Sequence, residues 1–90
     1  VAFGSLVERG VVVPGTVLHD RSRRLRATVC ADGTLVAGTE RGSIHQVGAW
    51  LQNAPSCNGW TFWHVEQEGR LVALDALRAE RRQSEQARPA

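Results

Sequence analysis

Between Gly42 and His64 the chain gathers the side chains best suited to chemistry: Ser43, His45, Asn58, and all three tryptophans, Trp50, Trp60 and Trp63. Ser43 followed three residues later by Gln46 forms a capping box, which predicts that a helix starts here. The first N–H groups of such a helix have no partner inside it and favour an anion. Asn58 offers two amide donors and a carbonyl acceptor two residues before Trp60. A strand beginning at that point would put both side chains on one face. A capped helix start, an amide and an aromatic plane suit the backbone and base edges of a nucleic acid.

Catalysis by the chain alone is not expected. It contains no G-x-S-x-G elbow, no Walker loop and no dinucleotide-binding glycine fingerprint. Ser43 and His45 stand two apart on the expected helix, so their side chains diverge instead of forming a nucleophile–base pair. Asp32 has a structural use in a hairpin turn. Cys30 and Cys57 form no C-x-x-C pair, and with three scattered histidines they give no zinc spacing. They are expected to be two buried thiols, and no metal or cofactor site is expected.

Ninety residues make one domain with a modest core. The apolar fraction of 42% and the charged fraction of 22% are those of an ordinary globular protein, so the chain is expected to fold. The net charge is only +2, yet all eleven positive residues are arginine. Arginine suits bidentate phosphate and guanine contacts; a GC-rich genome produces the same bias and is the simpler cause. No apolar run approaches a membrane span and no signal peptide is visible, so a cytosolic location is expected. Because the chain starts at Val1, it is expected to be a piece of a longer protein.

These side chains need elements to position them. Ser5 and Glu8 form a second capping box, with Gly10 closing a short helix. Val11–Val13 runs into a Pro14–Gly15 turn, and residues 16–19 read as a strand. Residues 20–24 read as an exposed loop. From Leu25 the apolar residues alternate, and Asp32–Gly33 predicts a two-residue hairpin over about 24–37 in which Val29 faces Val36. Residues 38–42 then form a flexible connection. In the capped helix Ile44, Val47 and Leu51 mark one buried stripe, and Gly48 predicts that it is short. Residues 60–65 read as a buried strand, 66–70 as a polar turn, and Leu74 and Leu77 as the start of a final helix. The expected architecture is α+β: a short antiparallel sheet packed by two or three helices, spanning residues 1–82. Residues 83–90 form a polar, disordered tail.

Each candidate also has a plainer reading. Clustered Trp60, Phe62 and Trp63 are commonly core; alternation puts Trp60, Phe62 and His64 on one face and Trp63 on the other. Trp60, at the strand's start, is expected to be partly exposed. Asn58–Gly59 reads equally as a tight turn. His45 reads as a surface or capping residue and His64 as packed in the sheet. The cluster Arg21, Arg23, Arg24 and Arg26 is either a solvated edge or a phosphate track.

Several motifs occur in one order: Phe3-Gly-Ser-Leu-Val-Glu-Arg-Gly, Pro14-Gly-Thr-Val-Leu, Ala31-Asp-Gly-Thr-Leu, Gly42-Ser-Ile-His, Asn58-Gly-Trp-Thr-Phe-Trp and Asp75-Ala-Leu-Arg. The set resembles the C-terminal extension of the cell-cycle-regulated DNA adenine methyltransferases (CcrM type) of alphaproteobacteria, one of the domains associated with restriction and adenine-methylase systems. The resemblance implies a non-catalytic domain that binds double-stranded DNA. The parent enzyme, a dimer, would methylate adenine N6 in GANTC sites from S-adenosylmethionine in the bacterial cytoplasm, beside the nucleoid. It also implies the catalytic domain of the same chain as a partner. Carried onto this sequence, Ser43, Asn58 and Trp60 would contact DNA, with His45, Arg41 and the Arg21–Arg26 group beside them. The D-P-P-Y and F-x-G-x-G motifs of the methylase body are absent here, so the fragment alone is not expected to transfer a methyl group. The alternative is a protein-interaction module packing on the methylase body or another subunit.

Overall fold

A computed structural model describes residues 2–79. Its order is α1 (Phe3–Glu8), β1 (Val17–His19), β2 (Arg26–Val29), β3 (Leu35–Ala37), β4 (Glu40–Gly42), α2 (Ile44–Gln52), α3 (Gly59–Phe62), β5 (His64–Gln67) and β6 (Arg70–Ala73). A final helix, α4, covers residues 74–79. The strands make one six-stranded sheet in the order β4-β3-β2-β1-β5-β6, and every neighbouring pair is antiparallel. The expected α+β class holds, with a wider sheet and one more helix. The tail at 83–90 lies outside the described residues.

Alternation sets the two faces of the sheet. Leu18, Ala27, Val29, Leu35 and Val65 are buried and join one core with Phe3, Leu6, Ile44, Val47, Trp63, Leu74 and Leu77. The registered row Val17, Thr28, Val36 and Arg41 lies on the other face. Aliphatic and aromatic burial on the first face is the main favourable contribution to folding, and all four helices contribute to it.

Four local expectations are corrected. First, the turn after β2 is one residue longer than two. Cys30 N–H donates to Thr34 O, Gly33 takes φ +84°, and Val29 pairs with Leu35 instead of Val36. The left-handed glycine absorbs the extra residue, which sends Leu35 inward. Second, the stretch 38–42 is not loose. It turns at Gly38 and returns as β4. Third, the polar turn at 66–70 is the tip of a hairpin, with Glu68 at φ 53° and Gly69 at φ 80°. Fourth, Ser5 does not cap α1; the cap lies three residues earlier, at Ala2, which makes no side-chain bond, and the helix starts at Phe3.

The largest correction falls on residues 60–65. Residues 59–62 are a single helical turn, and the strand starts at His64. Asn58 causes this: its Oδ1 accepts the N–H of Trp60 at 3.1 Å, while its carbonyl accepts from Thr61 and Phe62. An asparagine at an N-cap overrides the aromatic preference for extended backbone.

Candidate functional site

Two helix starts lie side by side. The α2 start is capped as the Ser43–Gln46 spacing predicts: Gln46 N–H donates to Ser43 Oγ at 3.1 Å, and Ser43 N–H donates to Gln46 Oε1 at 3.0 Å. The N–H groups of Ile44 and His45 then have no acceptor among the described residues. The α3 start is tied to α2. Gly59 N–H donates to His45 Nδ1 at 2.9 Å, which fixes the neutral ring as the Nε2–H tautomer and turns that donor away from α3. Asn58 uses only its Oδ1, so its exposed Nδ2 keeps both donors.

Glycines permit this approach. A Cβ on Gly59 would stand 2.6 Å from the Ile44 carbonyl carbon. One on Gly48 would meet Cys57 Sγ at 2.7 Å and Phe62 at 3.3 Å. Gly48 is therefore the point where α2 receives the α3 segment, besides being a weak helix former. Behind it, Trp63 is fully buried and its Nε1–H donates to Ile44 O at 2.9 Å.

The three tryptophans have different fates. Trp60 is buried, 8% exposed, where partial exposure was expected. As the second residue of a helical turn it points under the protein, against the Phe3 ring (centroids 6.2 Å apart, 71° between planes). The Arg78 guanidinium covers it at 4.5 Å. Its remaining edge lines a groove of about 280 Å³ with Phe3, Gly4, Ser43, Ile44 and His45. Trp60 thus shares a groove with Ser43 and His45 but presents no open plane. Trp50, by contrast, is 46% exposed on α2. The sequence signal for it was an aromatic one step off the Ile44–Val47–Leu51 stripe.

The arginines divide into two groups. Arg41, on β4, pairs with Asp32 at 3.0 Å and donates through Nε to Thr34 Oγ1. Thr34, by its hydroxyl and amide, and then Arg41 hold the Asp32 carboxyl below its ordinary range. Arg21, Arg23, Arg24 and Arg26 lie at the far end of the strands, because His19 pairs with Arg26 whereas Leu35 pairs with Gly42. That separation is about 10 Å of strand. Their loop is ordered by Asp20, whose Oδ1 accepts from the N–H groups of Arg24 and Leu25. Arg23, in the left-handed region at φ 62°, pairs with Glu66 at 2.5 Å. Arg21 and Arg24 are exposed and make no ion pair among the described residues.

His64 is half-buried with its Nδ1 3.0 Å from Phe62 O, and Cys30 and Cys57 are free, half-buried thiols instead of the fully buried ones expected. No cluster of three metal-ligating side chains occurs among the described residues, and none of their helices is long and apolar enough to cross a membrane. The arrangement can hold an anion and offer fixed N–H donors around it. It pairs no nucleophile with a base.

Comparison with known proteins shows which family the chain resembles. Residues 1–87 match the family described as Restriction Enzyme Adenine Methylase Associated. The chain is also similar to the Type II methyltransferase M.HinfI of Haemophilus influenzae, at 29% identity over 80 residues, which is 89% of this chain and 22% of that protein. The chain therefore spans about a fifth of the length of this relative.

Proposed function

Because the chain belongs to the Restriction Enzyme Adenine Methylase Associated family, we propose that it is the non-catalytic, DNA-holding domain of a site-specific DNA adenine-N6 methyltransferase. In this reading the target is a GANTC-type site, and the catalytic domain of the same, dimeric, parent chain uses S-adenosylmethionine. The parent would act in the cytoplasm, with methylation timed to the cell cycle.

One observation carries the proposal: hydrogen-bond donors without an acceptor among the described residues gather at the α2 start, and the acid nearest in the fold, Asp32, is already paired with Arg41. From Arg41 to Val65 the sequence has no Asp or Glu, although nine occur elsewhere. At that start stand the Ile44 and His45 amides, which have no acceptor among the described residues, with the Ser43 hydroxyl, the His45 Nε2–H and the Asn58 Nδ2 nearby. A phosphate oxygen at the α2 start meets two free N–H groups and the positive end of the helix dipole. Asn58 then donates to the neighbouring phosphate or to a base edge. Trp60 acts from beneath, holding the groove floor. Arg41 stands beside the groove with its charge balanced by Asp32, and Arg21, Arg24 and Arg26 offer a second backbone contact at the far end of the sheet.

The test is a salt titration of duplex binding by the 90-residue chain, followed by anisotropy. Affinity should fall steeply with rising salt, and Asn58→Asp, which keeps an N-cap acceptor, should bind more weakly at every salt concentration. No binding at low salt would sink the reading. The second reading, a module that packs on the methylase body, is favoured by the exposed Val13 and Val17 beside β2. It predicts binding to that protein that is insensitive to salt and lost in Val13→Asp.

A further inference from the structure

We infer that Trp50 is a stacking plane for an unpaired nucleobase on the same strand that α2 holds, an inference that rests on the DNA-holding reading. The indole is exposed, and its Nε1–H has no acceptor among the described residues, whereas the Trp63 indole donates inside the core. Water can satisfy that donor, and the ring presents an apolar face with a polar edge, the kind of plane on which a base can stack.

Its seat is built. The outer edge of the ring rests on Gly42: a Cβ there would stand 3.1 Å from Cη2 and from Cζ3. The absence of a side chain at position 42 thus lets the ring lie against backbone and fixes its plane. Beside the ring is a groove of about 290 Å³ between α2 and the following loop, lined among others by His45, Ala49, Pro55, Ser56 and Cys57. None of its lining residues is acidic. Burial raises the Cys57 thiol above its ordinary range, against a smaller opposing effect of Gln52, so the thiol stays neutral and does not repel a polyanion.

Ser43, Gln46 and Trp50 follow one stripe of α2, at spacings of three and four residues. The Trp50 Cα lies about 10 Å along the axis from the cap, and its ring reaches back to Gly42, beside Ser43. A strand whose phosphate is held at Ser43 can therefore bring a nearby base to the indole. The occupant is a base rather than an apolar peptide side chain because the rim carries donors, the His45 Nε2–H and the Ser56 hydroxyl, and no carboxylate. It must be an unpaired base, since bases inside a duplex already cover each other's faces.

The test uses the 90-residue chain and three labelled probes: a duplex, the same duplex with one mismatched adenine, and the single strand. Wild type should prefer the mismatched and single-stranded probes. Trp50→Ala should lose roughly five-fold or more on those two and bind the perfect duplex as wild type does. Trp50→Phe should keep most of the preference, and circular dichroism should show all variants folded, because position 50 is on the surface. If wild type binds the duplex with a steep salt dependence and Trp50→Ala matches it on all three probes, the stacking inference fails while the DNA-holding reading stands. If wild type binds none of the probes at low salt, both fall. Salt-insensitive self-association abolished by Trp50→Ala would overturn the stacking inference in favour of a protein interface.

Discussion

The sharpest perturbation is at Ser43, because under the proposed function folding and DNA binding would make opposite demands on it. Ser43→Ala removes the oxygen that accepts the Gln46 N–H at 3.1 Å, leaving only the return bond from Ser43 N–H to Gln46 Oε1. The loss should be about 1 kcal/mol, lowering the melting temperature of a domain this size by about 4–8 °C. Ser43→Asp keeps an acceptor at the cap and adds a favourable charge–dipole interaction of about 0.3–1 kcal/mol. It should be as stable as wild type or slightly more so. A phosphate oxygen held by the Ile44 and His45 amides would lie about 5 Å from that new carboxylate. Repulsion there is about 1–3 kcal/mol between aqueous and surface-like dielectric limits, so DNA affinity should drop roughly five- to 150-fold, towards the lower figure in physiological salt. Stability should therefore rank Asp, Ser, Ala, and affinity Ser, Ala, Asp. Equilibrium unfolding and anisotropy on the same three proteins give both orders. A Ser43→Asp protein that binds DNA like wild type would refute an anion at the α2 start.

Three further outcomes follow from the packing and the charges. Gly59→Ala puts a methyl 2.6 Å from the Ile44 carbonyl carbon, so it should cost about 1–3 kcal/mol in denaturant unfolding. Trp63→Ala should lose about 3–5 kcal/mol, whereas Trp50→Ala, which removes a ring only half covered, should lose about 1–2 kcal/mol; equal losses would refute the difference in burial between the two rings. Burial tends to raise the Asp20 carboxyl, but the amides of Leu25 and Arg24 and the Ser22 hydroxyl outweigh it, and Arg23 lowers Glu66. Lowered carboxylates bind fewer protons folded than unfolded at acid pH, so their stabilisation is complete above the ordinary carboxylate pKa and is lost below about pH 4. Glu66→Gln should flatten that loss in thermal melts recorded against pH.

The parts of this fold legible in the sequence are those whose cause is local. The Ser43–Gln46 box, the Ile44–Val47–Leu51 stripe, the Pro14–Gly15 turn and the alternation in β2 each depend on residues within a few positions of one another, and each is found in place. The misread parts turn on choices between near-equal local options. Asp32–Gly33 permits both a two- and a three-residue loop, and burial of Leu35 favours the longer one. At 58–63 an N-cap asparagine competes with four residues of high strand preference, and the tie is broken at long range by His45 and Ile44, which hold the turn from α2. The same choice hid the fate of the tryptophans. A strand would have exposed the first ring at its edge; the helical turn buries Trp60 and leaves Trp50 as the open aromatic.

That helical turn also explains why the candidate surface is made of side-chain donors. The first two N–H groups of α3 are consumed, by His45 Nδ1 and by Asn58 Oδ1. Each consuming side chain has a second polar end, the His45 Nε2–H and the Asn58 Nδ2, and that end is left to face outward. The inward bonds thus exchange two short-range backbone donors for two that reach farther from the protein, while α2 keeps its own two amides open. A surface assembled this way is held in place without a ligand, because the Gly59–His45 and Trp63–Ile44 hydrogen bonds tie the two helix starts together and the close contact of Gly59 with Ile44 fixes their spacing. Rigidity lowers the ordering cost of gripping a polyanion. Under the proposed function His45 and Asn58 would serve folding and recognition together, so truncating either to alanine would confound the two. Substitutions that keep the inward acceptor and change only the outward group, as Asn58→Asp does, separate them.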